Sequence, residues 1–159
     1  VLREHGLDYE GPLPGGRMRP NGQEVRWEMG LPDGRDLPFL CGDVTPRHLR
    51  VPEGEIREHR NGVEGIVELG VAVEDLEFSA GRFAILLGAE PDWSDSGTAR
   101  FVCGSTRIVL SGPGDENVRK HLAERGVGPW RVVLGVGSGE IRMMDVGLSH
   151  GVRFELLSE

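Results

Sequence analysis

His5, His48, His59, His121 and His150 are the imidazoles of this chain, and Cys41 and Cys103 are its two thiols. Imidazole is the commonest metal ligand and the side chain that titrates nearest neutrality, but no two of the five stand at a ligand spacing such as H-x-x-x-H. His150, beside Gly151 and five residues before Glu155, reads as a ligand or general base, or as a turn histidine capping a strand. His48 could line a pocket with Asp43, His59 lies in a polar connecting segment, and His5 and His121 belong to helical pieces at the surface. Two cysteines make no disulfide framework and read as a reduced pair in a cytoplasmic protein. The hydroxyls of Ser105, Thr106 and Ser111 have no histidine close in sequence, which leaves a nucleophilic triad unsupported. Residues 135–139, GVGSG, are glycine-rich, but no helix follows to present a phosphate-binding amino terminus. Trp27 and Trp130 sit in strand-like runs and read as core, or as walls of a ligand cleft. Trp93, in a polar Asp-Trp-Ser-Asp loop, reads as an exposed contact for a ligand or partner.

The elements that must position these groups follow from pattern. Residues 66–73 form a near-continuous apolar and β-branched run, which fits a strand buried on both faces. Asp75 then offers a carboxylate to the free N–H groups of a first helical turn, and Gly88 supplies the stop. Between them Leu76, Ala80, Phe83 and Leu87 recur at steps that place them on one helix face, which must lie on the sheet. Residues 98–103 and 106–110 are two β-rich runs split by Gly104-Ser105, as in a hairpin. Residues 116–125 read as a short amphipathic helix with Val118 and Leu122 inward and His121 either inward or at the surface, ended at Gly126. Strands follow at 130–136, 140–144 and 152–157.

The first fifty residues start with the last turn of a helix closed by Gly6, with nothing before it to be the rest of that helix. Residues 11–16, GPLPGG, read as a turn-rich connector, residues 23–29 as a half-buried strand with Val25, Trp27 and Met29 on one face, and residues 37–41 as a third short run. Residues 51–62, polar and closed by Asn-Gly, read as a linker between lobes. Composition sets the remaining bounds. The 159 residues can bury one core or two small lobes. Eighteen basic against twenty-six acidic residues give a net charge of −8, which disfavours nucleic acid and anionic membranes as partners. No apolar window of about 18 residues and no signal-like segment opens the chain.

The run Gly70-Val71-Ala72-Val73-Glu74-Asp75-Leu76-Glu77, then Phe83, then Leu86-Leu87-Gly88, resembles the opening of a βαβββ module of the vicinal oxygen chelate superfamily, the glyoxalase-like proteins. The hairpin and the last strand, whose Glu155 is similar to a frequent metal ligand of the family, continue the resemblance. It implies an α+β fold in which paired βαβββ modules form cupped mixed sheets with helices packed outside. Residues 1–50 would be the carboxy-terminal part of an incomplete amino-terminal module, 51–62 a linker, and 63–159 a paired-module domain. The incomplete module implies missing upstream sequence or a second copy, as in a homodimer, to complete the sheet.

In this superfamily a divalent metal sits in the cup between modules and holds two neighbouring substrate oxygens, acting as a Lewis acid. Counted on the family pattern, the ligand positions fall on Glu68, Val109, Arg131 and Glu155. A guanidinium stays protonated and offers only donors, so this set makes a poor metal site, with Glu68 and Glu155 its only weak candidates. The alternatives are that Arg131 pairs with Glu68 or Glu155 and fills the cup with compensated charge, or that the carboxylates simply face solvent. The expected ligand-binding residues are therefore Glu68, Arg131, Glu155, His150 and Trp93. The expected function is binding of a small molecule in the cup without a complete metal site in these residues. The other reading is a metal-dependent lyase, isomerase or extradiol-type dioxygenase whose active lobe lies upstream.

Overall fold

The computed structural model describes residues 2–137, 142–145, 147, 149 and 152–158. The chain divides into two compact units, Val1–Glu58 and His59–Glu159.

The first unit opens with a 3-10 turn, Arg3–His5, closed by Gly6 at φ 82°. Three antiparallel strands follow, β1 (Tyr9–Met18), β2 (Glu24–Pro32) and β3 (Leu40–Asp43), in the order β1-β2-β3. Leu7, Tyr9, Val25 and Leu37 are its buried core. The expected connector at 11–16 is instead the middle of β1. Two physical features make this possible. β1 is an edge strand, where proline's missing N–H costs no ladder bond, and the register shifts between Glu10 and Leu13 around a cis Gly11-Pro12 peptide. The glycines serve close approach rather than turning: a Cβ on Gly15 would lie 2.3 Å from the Trp27 indole nitrogen, and one on Gly11 would lie 2.5 Å from the Met29 carbonyl. The third run starts later than expected, because Leu37 is buried ahead of the strand and the Tyr9 hydroxyl donates to the Pro38 carbonyl at 2.9 Å. The one-turn helix α1 (Arg47–Arg50) supplies the partners of Asp43, with Arg50 Nη2 at 3.0 Å and Arg47 at 3.4 Å. The Arg50 hydrogen bond above all holds the Asp43 carboxyl below its ordinary range. A second 3-10 turn, Gly54–Arg57, lies within the polar connecting segment.

The second unit contains β4 (Val63–Ala72), α2 (Leu76–Leu87), β5 (Asp92–Ser94), β6 (Thr98–Cys103), β7 (Thr106–Ser111), α3 (Glu116–Arg125), β8 (Gly128–Val136), β9 (Arg142–Met143) and β10 (Arg153–Ser158). Its seven strands form one sheet in the order β5-β6-β7-β4-β8-β10-β9. Each half has the same logic: the opening strand lies parallel to the closing one, β4 to β7 and β8 to β10, and the two opening strands pair antiparallel at the centre. The fold is α+β, a cupped mixed sheet of βαβββ type, with the second half shortened. Among the described residues no helix stands between β8 and β9, and α3 precedes β8.

Local signals set the helices. Asp75 Oδ1 accepts the Phe78 N–H at 2.9 Å, and Gly88 closes α2 at φ 65°. Asp115 caps α3 through the N–H groups of Asn117 and Val118 at 2.7 and 3.3 Å. α2 packs on β6 and β7, burying Ala80 and Phe83, with the Phe83 and Phe101 ring centroids 5.8 Å apart. β4 corrects the expectation of a strand buried on both faces. Only its last three residues are buried and Ile66 is 48% exposed, because the face opposite α2 is polar and open. The strand expected at 140–144 is described only at Arg142–Met143, and the last strand starts at Arg153, so His150 lies outside the described residues. No helix among the described residues is long and apolar enough to cross a membrane.

Candidate ligand cup

The open face of the second unit carries alternate residues of four neighbouring strands. Glu68 comes from β4, Val109 and Ser111 from β7, Arg131 from β8, and Glu155 from β10. Register brings them together: Glu68 stands opposite Arg107 on β7, while Arg131 stands opposite Gly70 on β4 and Arg153 on β10. Arg131 Nη1 donates to Glu68 Oε1 at 2.7 Å, and its Nη2 donates to Glu155 Oε2 at 2.7 Å. The three side chains are only 14%, 30% and 18% exposed for Glu68, Arg131 and Glu155. Two more arginines extend the row: Arg107 Nε lies 3.3 Å from Glu68 Oε2, and Arg153 Nε lies 3.8 Å from Glu155 Oε1. The result is an alternating ladder of three cations and two anions across the sheet. The Glu155 hydrogen bond, with the charges of both carboxylates, raises the Arg131 guanidinium above its already high ordinary value despite partial burial. It stays charged at any pH the fold survives.

A bulge builds this centre. Gly70 pairs with Arg131 and Val71 with Pro129, leaving Trp130 as the extra residue on β8. A bulge re-aims side chains locally, and here Trp130 and Arg131, consecutive in sequence, both line the cup. Gly70 makes room for them, since a Cβ there would lie 3.1 Å from both the Arg131 Cβ and the Trp130 Nε1. The Trp130 N–H is buried with no acceptor among the described residues.

Above the ladder opens a cavity of about 480 Å³. Its wall adds the hydroxyls of Ser96, Thr98 and Ser111, the guanidinia of Arg100 and Arg153, and the Asp115 carboxylate, which is already engaged in capping α3. Those backbone hydrogen bonds hold Asp115 below the usual carboxylate range. A smaller cavity of about 260 Å³ lies beside it, sharing Trp130 and Arg153 and adding Lys120, His121 and Arg125 from α3. Burial and the charge of Arg125 push His121 down, which favours its neutral form.

All four positions counted from the family pattern, Glu68, Val109, Arg131 and Glu155, line the one cavity. They do not fit a divalent metal. Val109 has no donor atom, Arg131 offers only N–H groups, and the two carboxylates are committed to that arginine. Among the described residues no three His, Cys, Asp or Glu side chains converge as a metal-binding group. Trp93 stands elsewhere, on the edge strand β5 opposite Ala99, 51% exposed and outside the cavity lining. His48 and His59 are exposed. Sequence reasoning passes over Thr98, Arg100 and Arg153, takes Ser111 only as a hairpin hydroxyl, and offers Trp130 as a cleft wall or as core. Stepping by two from Val109 or Glu155 would have found Ser111 and Arg153. Nothing in the sequence marks the bulge that turns Trp130 inward.

The solved structures similar to this chain show the same fold. A hypothetical protein from Staphylococcus aureus matches 99% of this chain with a TM-score of 0.71 at 8% identity, and the chain spans 59% of that protein's length. A methylmalonyl-CoA epimerase from Mycobacterium tuberculosis matches 64% of this chain and 91% of its own, with a TM-score of 0.50 at 21% identity. No curated protein matches the chain in sequence. The family model described as a glyoxalase-like domain matches residues 1–87, which takes in the first unit and the β4–α2 opening of the second but stops short of Arg131 and Glu155. With more than half of its length matched and the cupped mixed sheet in place, this chain belongs to the glyoxalase-like domain family of the vicinal oxygen chelate superfamily.

Proposed function

We propose that the second unit binds a small polar molecule in its cup, with the guanidinium of Arg131 standing where other members of the superfamily hold a metal. The observation that carries this reading is the Glu68–Arg131–Glu155 bridge, two 2.7 Å contacts made on the floor of an open cavity of about 480 Å³. A fixed cation held by two carboxylates is rigid, and rigid polar groups at the base of a concave site orient a ligand at low entropic cost. The cup wall supplies what a polar ligand needs: three hydroxyls that both donate and accept, and arginines that only donate. The fold neighbour named as a methylmalonyl-CoA epimerase supports the reading in outline, since its name gives it a small-molecule substrate.

The test is a screen of metabolite mixtures against the ¹⁵N-labelled chain by two-dimensional NMR. Binding should shift amide resonances of Glu68, Thr98, Ser111 and Arg131 together and should be lost in Arg131→Met. Shifts confined to residues far from the cup, or the same response in Arg131→Met, would overturn the assignment.

A further inference from the structure

The cup's lining holds three arginines, Arg100, Arg131 and Arg153, and three carboxylates, Glu68, Asp115 and Glu155, and the way these groups are engaged identifies a class of ligand. Three carboxylates line the cavity, and each is engaged. Glu68 and Glu155 receive Arg131 at 2.7 Å each, Glu68 also receives Arg107, and Asp115 accepts two N–H groups at the start of α3. The arginines of the lining are not all engaged in return. The Arg100 side chain makes no hydrogen bond or ion pair with a described residue, although Asp92 stands opposite it on β5, and Arg153 comes no closer than 3.8 Å to Glu155, beyond hydrogen-bonding reach. The formal charges of the lining cancel, three against three, so what the cup offers is two guanidinia with unused N–H donors rather than net charge.

Both guanidinia line the cavity, Arg100 from an exposed position on β6 and Arg153 from β10, beside the hydroxyls of Thr98 and Ser111. Thr98 and Arg100, two residues apart on β6, stand opposite Ser111 and Val109 on β7. The sheet thereby offers a guanidinium fork with hydroxyl donors beside it. Planar guanidinium matches carboxylate and phosphate oxygens geometrically and pairs with them through charge-assisted hydrogen bonds. We infer that the cup takes a ligand bearing an oxyanion, a carboxylate or a phosphate monoester, seated by Arg100 and Arg153 above the Glu68–Arg131–Glu155 floor. This inference rests on the cup reading proposed above and adds the ligand's charge to it.

The probes are malonate, inorganic phosphate and neutral malonamide, each titrated into the ¹⁵N-labelled full chain at constant ionic strength, with Arg100→Gln, Arg153→Gln and Arg60→Gln as variants. Arg60→Gln removes the same charge from the exposed segment between the units. Loss of one partly exposed charged contact weakens binding by about five- to tenfold, the effect of roughly 1 to 1.4 kcal/mol. That loss is expected for Arg100→Gln and Arg153→Gln and not for Arg60→Gln. Malonate binding without phosphate binding assigns a carboxylate, the reverse assigns a phosphate, and both together assign a general oxyanion seat. If malonamide or a neutral metabolite moves the cup resonances and the two anions do not, the oxyanion class is wrong while the cup reading survives. If no probe or metabolite moves them, both fall. An equal loss in Arg60→Gln would reduce the effect to net charge and overturn the seat.

Discussion

Arg131 joins three strands through two hydrogen bonds, so its removal separates a structural role from a decorative one. A buried pair stripped of one partner costs about 3–5 kcal/mol, whereas replacing all partners with apolar groups is close to neutral. Here the side chains retain 14–30% exposure, and solvent screening lowers the expected cost of Arg131→Met to about 2 kcal/mol. The triple variant Glu68→Leu, Arg131→Met, Glu155→Leu should unfold at a higher urea concentration than Arg131→Met alone. If the single variant stays within about 0.5 kcal/mol of the parent, as surface substitutions do, the bridge does not hold the floor together. Trp130 gives a second residue-scale prediction. Its N–H is buried without an acceptor among the described residues, a loss of about 1–3 kcal/mol relative to a satisfied donor, so Trp130→Phe should leave stability unchanged or raise it in urea titrations without ligand. The convergence of Glu68, Arg131 and Glu155 was legible because strand residues can be counted against a resembling module. Arg100 was not, since an arginine on an alternating strand looks the same whether it faces solvent or a cavity.

At the scale of elements, the β8 bulge and the α3 cap are the features most open to test. Gly70→Val would press side-chain atoms on the Arg131 Cβ and the Trp130 indole, each 3.1 Å from a Cβ at that position. Overpacking of this kind costs about 1–3 kcal/mol and should shift the Trp130 side-chain resonance while leaving those of α2 in place. Asp115 titrates with its cap. Its folded pKa lies below the unfolded value, so its contribution is fully present above pH about 3.9 and is lost as the pH falls through the lowered folded value. The stability gap between the parent chain and Asp115→Asn should therefore be constant near neutrality and shrink in acid, as followed by thermal melts across pH. A gap that grows in acid would contradict the cap. Both helices were legible because aspartate, apolar spacing and glycine punctuate them in sequence. β1 was not: Gly11, Pro12, Pro14, Gly15 and Gly16 have the composition of a turn, and only the Trp27 ring and the Met29 carbonyl pressing on them explain a strand there.

At the scale of the molecule, the chain is two compact units, Val1–Glu58 and His59–Glu159, each with its own sheet. The segment joining them is exposed and carries Arg57 and Arg60, so limited trypsin digestion should cut there first and leave a resistant fragment starting at Glu58 or Asn61. Early cutting at Arg100 or Arg131 instead would mean that the second unit lacks the cooperative core described. The −8 charge was open to sequence reading through composition, and the fold class through the resemblance of residues 70–88 to the opening of a βαβββ module. The unused guanidinium donors of the cup were not, because which donors remain depends on which carboxylates are already engaged.

On the proposed reading, the cup binds its ligand through the arginine-bridged floor and without a metal. The most direct measurement is an NMR titration of the exhaustively chelated ¹⁵N-labelled chain with malonate. The account predicts saturable shifts at Glu68, Thr98, Arg100, Ser111, Arg131 and Arg153 that added manganese, nickel or zinc leaves unchanged and that Arg131→Met abolishes. Shifts that appear only after a divalent metal is restored, or that fall outside the cup, would contradict it.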